Sequence, residues 1–420
     1  MEKETRTTQS LPFEGIKILD FCWVAAGPVM TRYLADFGAT VIRIESPLRA
    51  DILRSGQPFK DDIPGINRSG YYANYNTNKL SLGLNMSNPK AIGIVKALIP
   101  QIDIVTESFT PGTMEKWGLG YDDLRQIRPD LIYFSASMFG RGGPYSRQPG
   151  FGGFLTPFTG FSNITGWPDR PPAGPYGPYT DFLVPRFGLV ALIGALEHRL
   201  KTGEGAQLDM SQLEAALHFL APILLEYTAN GRETQRKGNK HTQAAPHSVF
   251  PCFDKPQDGE NATEESWIAI ACFQDTEWDA LRKVMGTPSW ANSPSLSTLE
   301  GRKQQEDYLN ENIARWTINQ EAKTLMVTLQ AAGVPAGMVN NTKDLFSDPQ
   351  LLAREHWINM DHPEMGDHSF DAVEVQLSGT KPLYKTPSPL LGQHSKQILA
   401  DYLNISAEES EQLINEGVVY

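Results

Sequence analysis

The sequence contains few of the residues and motifs that usually indicate an enzyme class. Its three cysteines, Cys22, Cys252 and Cys272, have no paired spacing, which indicates neither a disulfide framework nor a zinc site. It has no GxSxG, HExxH, P-loop or CxxC motif. All eight histidines lie at position 198 or later, so the first half of the chain offers no imidazole. The sequence therefore carries none of the common signatures of serine-dependent or metal-dependent hydrolysis.

Positive charge and long apolar runs are also scarce. The chain of 420 residues has 37 Lys and Arg against 49 Asp and Glu, and its net charge of −12 argues against nucleic acid or an anionic membrane as partner. Met1 to Ser10 is polar and charged, unlike a signal peptide, and no uninterrupted apolar run predicts a bilayer span. We therefore expect a cytoplasmic protein of two or three compact domains.

Strands and helices alternate through the first half of the chain. IKILDF and TVIRIE are typical of buried strands and flank the helical pattern MTRYLADFGA, while DIVTESF and DLIYFSAS follow with further helices between them. This alternation predicts an α/β fold with a doubly wound parallel sheet, whose ligand lies beyond the carboxyl ends of the strands. Glu45 ends the second strand, as in dinucleotide-binding units, but the first turn is AAGP rather than GxGxxG. A nicotinamide-dependent enzyme therefore stays open as an alternative.

The composition changes after the long apolar helices. Arg232 to His247 is polar and predicts a linker into a smaller region of short strands and helices. We predict a large domain in residues 1–225, a linker and small domain in residues 226–330, and a C-terminal part in residues 331–420 that returns to the large domain.

One carboxylate stands at the start of the longest apolar segment. Asp181 follows a Pro/Gly/Tyr loop and precedes a helix that the spacing of Leu189, Leu192 and Leu196 predicts. An isolated aspartate in this place usually caps the helix. A carboxylate at a helix start also stays ionised at neutral pH and can attack an activated acyl group. Position alone leaves both roles open.

Several ordered stretches resemble one family over nearly the whole chain. They are LPFEGIKILDF with AAGP, ADFGATVIRIESP, NTNKLSLGLNM, DIVTESFTPGTMEKWGLGYDDL, the TD before the long helix, TGEGAQLDMSQLEA, AAGVPAGMV and LLGQHS. In these motifs the chain resembles the class III CoA-transferases, the family of formyl-CoA transferase and carnitine CoA-transferase. The resemblance implies a Rossmann-like large domain with a smaller α+β domain, in an interlocked homodimer or in a heterodimer with a related subunit.

The resemblance also implies a chemistry. The family's nucleophile is the aspartate before the long helix, which corresponds to Asp181, and it reacts through an aspartyl anhydride and an aspartyl-CoA thioester. No metal and no tightly bound cofactor is implied, because the coenzyme A thioester is itself a substrate. The family's contacts with CoA correspond to Trp23, Lys79, Phe109 and Lys116, with the lysines at phosphates and the aromatic rings along the nucleotide or pantetheine. Without the resemblance, Lys79 is interpreted as a solvated surface lysine.

Three positions depart from the formyl-CoA branch, which has Gln at Ala25, Asn at Ser108 and Arg or Gly at Thr110. These losses argue against formyl or oxalyl transfer, and the aromatic stretches GFGGFLTPFTGF and GPYGPYTDFLVP indicate a larger, more apolar acid. The chain thus looks closest to enzymes that act on aryl- or alkylsuccinates, with succinyl-CoA as donor. A CoA-binding subunit of a heteromeric transferase stays open, and so does an acyl-CoA racemase, although that branch has a histidine where this chain has QPGFGGF (148–154).

Overall fold

The computed structural model describes residues 10–253 and 266–420. The polar tail on which the expectation of no signal peptide depends, residues 1–9, lies outside the described residues. The chain divides into two compact units. The first comprises the chain up to Ser162, Gly174–Thr234 and Ala353–Tyr420, and the second comprises Asn163–Ala173 and Gln235–Leu352.

A parallel sheet of six strands forms the centre of the first unit. The strands are β1 (Lys17–Phe21), β2 (Thr40–Glu45), β3 (Leu80–Gly83), β4 (Ile104–Glu107), β5 (Ile132–Ser137) and β6 (Ala206–Ser211). They lie in the order β3-β2-β1-β4-β5-β6, with Ile18 of β1 opposite Val41 of β2 and Ile104 of β4. This is the doubly wound arrangement that the alternating pattern predicts, and the α/β class is confirmed.

Helices cover both faces of this sheet because its strands are apolar on both faces. Ile18 and Ile104 belong to the hydrophobic cluster on one face, and the residue that follows each of them belongs to the cluster on the other. Up to residue 230 the helices are α1 (Ala26–Asp36), α2 (Gly70–Tyr75), α3 (Pro89–Leu98), α4 (Thr113–Lys116), α5 (Tyr121–Ile127), α6 (Gly152–Phe158), α7 (Phe161–Ile164), α8 (Tyr179–Leu183), α9 (Pro185–Thr202), α10 (Gln212–Leu217) and α11 (Ala221–Asn230).

The second unit has its own sheet and its own core. Strands β7 (His247–Cys252), β8 (Ser266–Ala271) and β9 (Ala336–Met338) pair in antiparallel fashion in that order. Because β9 pairs with β8, the second unit extends beyond residue 331, where the sequence analysis puts the return to the large domain. The helices of this region are α12 (Asp275–Val284), α13 (Leu299–Gln304), α14 (Glu306–Thr317), α15 (Ala322–Ala331), α16 (Thr342–Ser347) and α17 (Pro349–Ala353).

The C-terminal part of the chain belongs to the first unit. It contains the hairpin of β10 (Trp357–His362) and β11 (Gly366–Asp371), followed by α18 (Ser395–Leu403) and α19 (Ala407–Asn415). Val418 and Val419 are fully buried in the sheet's hydrophobic cluster, and the Tyr420 N–H donates to the Gly83 carbonyl at 3.0 Å. The last residues of the chain therefore complete the core beside β3.

One helical stretch meets the length and composition expected of a membrane span. Tyr179–Thr202 has a mean hydropathy of 1.4 in its most apolar window. Asp181 and Arg186 interrupt the apolar residues of this stretch, so it does not contradict the expectation that no uninterrupted apolar run spans a bilayer. The window is 44% buried, and Leu192, Ala195 and Leu196 belong to the hydrophobic cluster on the sheet. Core helices of globular proteins satisfy the same criteria, so length and composition alone carry little weight here.

Candidate active site

A cavity of about 240 Å³ lies at the carboxyl end of the parallel sheet. Its wall includes residues that follow five of the strands: Trp23–Ala26 after β1, Arg49 after β2, Ser108–Thr110 after β4, Met138 after β5 and Gln212 after β6. Since the chain leaves the neighbouring strands β1 and β4 toward opposite sides of the sheet, this is the crevice where ligands of doubly wound sheets bind. The cavity is therefore where the predicted fold expects the ligand.

Asp181 lies in this wall, directly against the backbone of Gly152. The Asp181 side chain belongs to α8 and the residue is 5% exposed. A Cβ atom on Gly152 would lie 2.5 Å from both Cγ and Oδ1 of Asp181, so only glycine allows this approach. Thr156 Oγ1 donates to the Gly152 carbonyl at 2.7 Å and helps to hold the first turn of α6 in place. The glycine-rich stretch thus shapes the immediate surroundings of the carboxylate.

Asp181 does not cap the long helix. Pro178 occupies the N-cap of α8, Asp181 lies within the first turn, and α9 begins only at Pro185. The interpretation of Asp181 as a helix cap is therefore wrong, because the helix starts before this residue. Its carboxylate faces the cavity instead.

Burial changes the acid–base behaviour of this carboxylate. Desolvation raises the pKa of Asp181 to about 7, and the Gly152 backbone N–H lowers that pKa only in part. The expectation that Asp181 is fully ionised at neutral pH therefore needs correction. Burial and the charge of Asp181 together raise the pKa of Tyr71 to about 12, so this phenol stays protonated. The carboxylate titrates close to neutral pH in an environment with little water.

The two aromatic residues predicted to contact CoA lie together in the cavity wall. Trp23 and Phe109 pack edge to face with their ring centres 5.5 Å apart. The Trp23 backbone N–H donates to Ser108 Oγ at 2.9 Å, which connects the loops after β1 and β4. The structure thus brings Trp23, Phe109 and Asp181 to one cavity.

The positions that depart from the formyl-CoA branch line the same cavity. Ala25, Ser108 and Thr110 all contribute to its wall. Ala25 and Ser108 have smaller side chains than the Gln and Asn of that branch and leave more room, and Thr110 stands where that branch has Arg or Gly. The differences noted in the sequence therefore fall where they can alter substrate choice.

Lys79 is not in the cavity wall. The residue is 1% exposed, and its ammonium contacts Thr31 Oγ1 at 2.8 Å, the Pro28 carbonyl at 2.9 Å, Asn76 Oδ1 at 3.1 Å and Asp20 Oδ2 at 3.5 Å. The interpretation as a solvated surface lysine is wrong, because tertiary contacts enclose the side chain. Burial lowers the pKa of Lys79 to about 8. Contact with a CoA phosphate stays a prediction, and this environment argues against it.

The cavity obtains its positive charge from another residue. Lys116 is exposed at the end of α4 and lies outside the wall. Arg49, which the sequence analysis missed, is the only Lys or Arg among the described residues that line the cavity, and its guanidinium lies 5.5 Å from the centre of the Trp23 ring. Its place in the loop after β2 was a usable signal, since such loops face the ligand in parallel sheets. The sequence analysis also missed Gln212, which directly follows β6 and lines the cavity.

The nicotinamide alternative loses its supporting residue. Glu45 is 3% exposed and accepts hydrogen bonds from Arg54 Nη2 at 2.8 Å, Ser81 Oγ at 2.9 Å and Tyr72 Oη at 3.0 Å. A carboxylate engaged in this way is not available to a ribose hydroxyl.

Two other kinds of site find no support in the described part of the chain. Residues 10–253 and 266–420 contain no group of three or more His, Cys, Asp or Glu that could hold a metal ion. No histidine occurs among the described residues that line the cavity, and the segment in which the racemase branch has one contributes Pro149–Gly152 to the wall. The acyl-CoA racemase alternative therefore lacks its second proton-transfer group in this cavity.

Comparison with known proteins identifies the family. The sequence model of CoA-transferase family III matches residues 13–395. The chain is 32% identical to the succinyl-CoA–D-citramalate CoA-transferase of Chloroflexus aurantiacus over 97% of this chain and 98% of that protein. It is 31% identical to the succinyl-CoA:glutarate CoA-transferase of Mus musculus, over 97% and 90%. A solved CAIB/BAIF family protein from Brucella suis matches with a TM-score of 0.84 and 29% identity, over 94% of this chain and all of that one. The chain belongs to CoA-transferase family III and is an enzyme of that class.

The close contact between Gly152 and Asp181 predicts that a larger residue at position 152 impairs activity. Gly152→Ala would place a methyl group 2.5 Å from the carboxylate, so we expect it to reduce CoA transfer by at least about a hundredfold. Gly153→Ala is the matched control, because a Cβ there meets nothing within 4 Å and alanine favours a helix over glycine. Steady-state kinetics and melting temperatures of both variants test this. Equal activity of the two variants would contradict the proposed packing.

The raised pKa of Asp181 predicts a pH dependence of turnover. If the carboxylate must be ionised to react, kcat/KM for the acyl-CoA should rise with pH and level off above about 7. Initial rates measured from about pH 5 to about pH 9 check this. A profile that levels off near pH 4, as for an ordinary aspartate, would contradict it.

The pH dependence of the protein's thermal stability checks the pKa of Asp181 independently of turnover. Because the folded-state pKa is raised, the protonated carboxyl's contribution to stability is complete below about pH 4 and is lost as the pH rises through about 7. The melting temperature of Asp181→Asn relative to the natural protein should therefore increase between those pH values and stay constant above them.

Proposed function

We propose that this enzyme transfers CoA from succinyl-CoA to a dicarboxylic acid, with Asp181 as the covalent nucleophile. The observation that supports this proposal best is the buried Asp181 carboxylate, held against the Gly152 backbone in the cavity at the carboxyl end of the sheet. The donor is inferred from the relatives, since the two described above are both named for succinyl-CoA.

The exchange proceeds through carboxylate and thiolate attacks that conserve the activated bond. An Asp181 carboxylate oxygen attacks the thioester carbonyl, the C–S bond breaks, and the products are an aspartyl–succinyl anhydride and CoA thiolate. The thiolate attacks the Asp181 carbonyl, releasing succinate and leaving an aspartyl-CoA thioester. The acceptor carboxylate attacks that thioester and again expels the thiolate, which then attacks the acceptor's acyl carbon and frees Asp181. Each step exchanges one acyl bond for another, so neither ATP nor an external base is required.

Burial of Asp181 serves both halves of this cycle. A carboxylate with little hydration loses less solvation when it attacks a carbonyl, which lowers the barrier. The anhydride is also protected from water, which would otherwise hydrolyse it and waste the donor. Backbone N–H groups of the glycine-rich segment, Gly152 among them, can donate to the oxyanion that forms at each attack.

For CoA itself we propose contacts with Trp23 and Phe109. Both rings line the cavity next to Arg49, and an aromatic pair beside a guanidinium suits a nucleotide base or pantetheine arm together with a phosphate. Arg49 thus supplies the charge complementarity that the sequence analysis attributed to Lys79 and Lys116.

The acceptor is proposed to be a succinate that carries an aryl or alkyl substituent. Phe151, which lines the cavity, is followed along the chain by Phe154 and Phe158, and all three are more than 40% exposed. Phe158 packs edge to face on Phe139 with the ring centres 5.2 Å apart. Of these aromatic residues, Phe151 lies in the same cavity wall as Asp181. Gln212 offers a polar contact for a second carboxylate. The named acids of both relatives, D-citramalate and glutarate, are likewise dicarboxylic.

We also propose that the enzyme works in the cytoplasm as a homodimer or as a heterodimer with a related subunit. In its support, the first unit exposes apolar side chains on two helices, with Val190 of α9 at 70%, Leu200 of α9 at 81% and Leu225 of α11 at 63%. Apolar surface of this kind is typical of subunit contacts.

Chemical trapping tests the nucleophile. After incubation with succinyl-CoA and treatment with hydroxylamine, mass spectrometry should find the Asp181 peptide converted to its hydroxamate. Asp181→Asn should lose the adduct and at least about a thousandfold in kcat while it stays folded. The exposed Asp209→Asn serves as control and should keep both. Retention of substantial turnover by Asp181→Asn would refute covalent catalysis at this residue.

A panel of acceptors tests the substrate class. Benzylsuccinate should be used with a kcat/KM at least about tenfold higher than 4-phenylbutanoate, which lacks one of its carboxylates, because Gln212 has no carboxylate to contact in the complex with 4-phenylbutanoate. Formate and oxalate should be poor acceptors. A preference for either of these over benzylsuccinate would contradict the proposed acceptor class.

A further inference from the structure

Val24 has a backbone conformation that valine rarely adopts. Its φ is 62°, in the left-handed region, where a β-branched side chain is strained. Val24 lies between Trp23 and Ala25, and all three line the cavity that contains Asp181. Such a conformation persists only where the surrounding structure enforces it, and outliers of this kind concentrate at functional sites.

Asp51 provides the enforcing contact. The Val24 N–H points between its two carboxylate oxygens, at 3.1 Å from Oδ1 and 3.2 Å from Oδ2. Oδ1 also accepts from the Leu53 N–H at 3.0 Å, and Oδ2 pairs with the Arg43 guanidinium. Asp51 is 2% exposed and Arg43 is fully buried, so neither charge can turn to solvent. The carboxylate therefore has one orientation, and that orientation fixes the Val24 N–H.

The turn is also held on its other side. The Trp23 N–H donates to Ser108 Oγ at 2.9 Å, so the loop after β1 is attached to the loops after β2 and β4. Helix α1 follows at once, with Ala25 at its N-cap and no side chain to cap it. A change in the Val24 conformation would therefore move the Trp23 ring and the first turn of α1 together.

We propose that Asp51 is a positioning residue, which holds Val24 in the left-handed conformation and thereby sets Trp23 and Ala25 for acyl-CoA. Asp51 itself touches no substrate. This inference relies on the proposed function, because it assumes that CoA occupies this cavity. A buried carboxylate usually contributes to stability alone, whereas this proposal gives Asp51 an effect on the affinity for CoA.

The test combines a variant of Asp51 with a variant of Val24. Asp51→Asn keeps one oxygen but loses the charge and one acceptor, so we expect the Kd for CoA, measured by calorimetry, to rise about tenfold. Adding Val24→Gly should reverse most of that loss, because glycine adopts positive φ without strain and no longer needs the restraint. If Asp51→Asn gives no folded protein, Asp51→Glu, which keeps the charge beside Arg43, replaces it in both measurements.

Asp36→Asn is the matched control. Asp36 is a buried carboxylate at the other end of α1, and it accepts from Arg32 Nε at 3.2 Å and Asn78 Nδ2 at 2.7 Å. This substitution should lower the melting temperature without changing the Kd for CoA. An unchanged Kd in the Asp51 variant, or a raised Kd that Val24→Gly does not lower, would overturn the positioning role. Because calorimetry measures binding without turnover, absence of CoA transfer by the natural protein would count against the proposed function alone.

Discussion

The contact between the Asp181 carboxylate and the Gly152 backbone is the constraint on which the site depends. The space beside Gly152 admits a hydrogen atom and nothing larger, so the backbone at Gly152 packs directly against the carboxylate and excludes water there. Desolvation of this kind is unfavourable for a charge, and it raises the pKa of Asp181 to about 7. Poor hydration also makes a carboxylate a better nucleophile toward a thioester, because less solvation is lost when it attacks the carbonyl.

A second set of buried charges supports the elements that border the cavity. Asp20, at the end of β1, accepts from Thr31 Oγ1 of α1 at 2.8 Å and from Thr106 Oγ1 of β4 at 2.9 Å, and it pairs with Lys79. Three elements that border the ligand crevice are thereby joined at one carboxylate. Loss of one member of such a buried ion pair typically costs about 3–5 kcal/mol, because the other charge stays buried without its partner. Lys79 belongs to this support rather than to the cavity wall.

Local patterns in the sequence predict most of the fold, and the motifs that carry the family resemblance supply the candidate residues of the site. The apolar runs of β1 and β2 are continuous because helices cover both faces of the sheet. This continuity is the pattern that predicts a buried strand around Ile18. The motifs around Asp181, Trp23 and Phe109 point to residues that do meet in one cavity. These residues lie at or near strand and helix ends, where position in the chain and position in space correspond.

Properties that depend on distant partners could not be predicted in this way. Lys79 and Asp20 are far apart in the sequence, and nothing beside Lys79 signals that its ammonium is enclosed. The pKa of Asp181 depends on a glycine in a separate segment, which a helix pattern does not reveal. The place of Arg49 in the loop after β2 assigns it to the crevice only in combination with the order of the strands, which the sequence alone does not provide. In each case the missing information is a tertiary contact.

The hydrogen bonds at the end of β2 limit how this fold can be re-engineered. Glu45 occupies the strand end at which dinucleotide-binding relatives of the fold keep a free acid, yet here Arg54, Tyr72 and Ser81 hold it inside the protein. Grafting a glycine fingerprint onto the AAGP turn would therefore not create a nicotinamide site. The acid would first have to be released from three partners, and the buried Arg54 would then be left with an uncompensated charge. The strand order is that of a doubly wound sheet, but a change confined to one loop would not supply the free acid that a ribose requires.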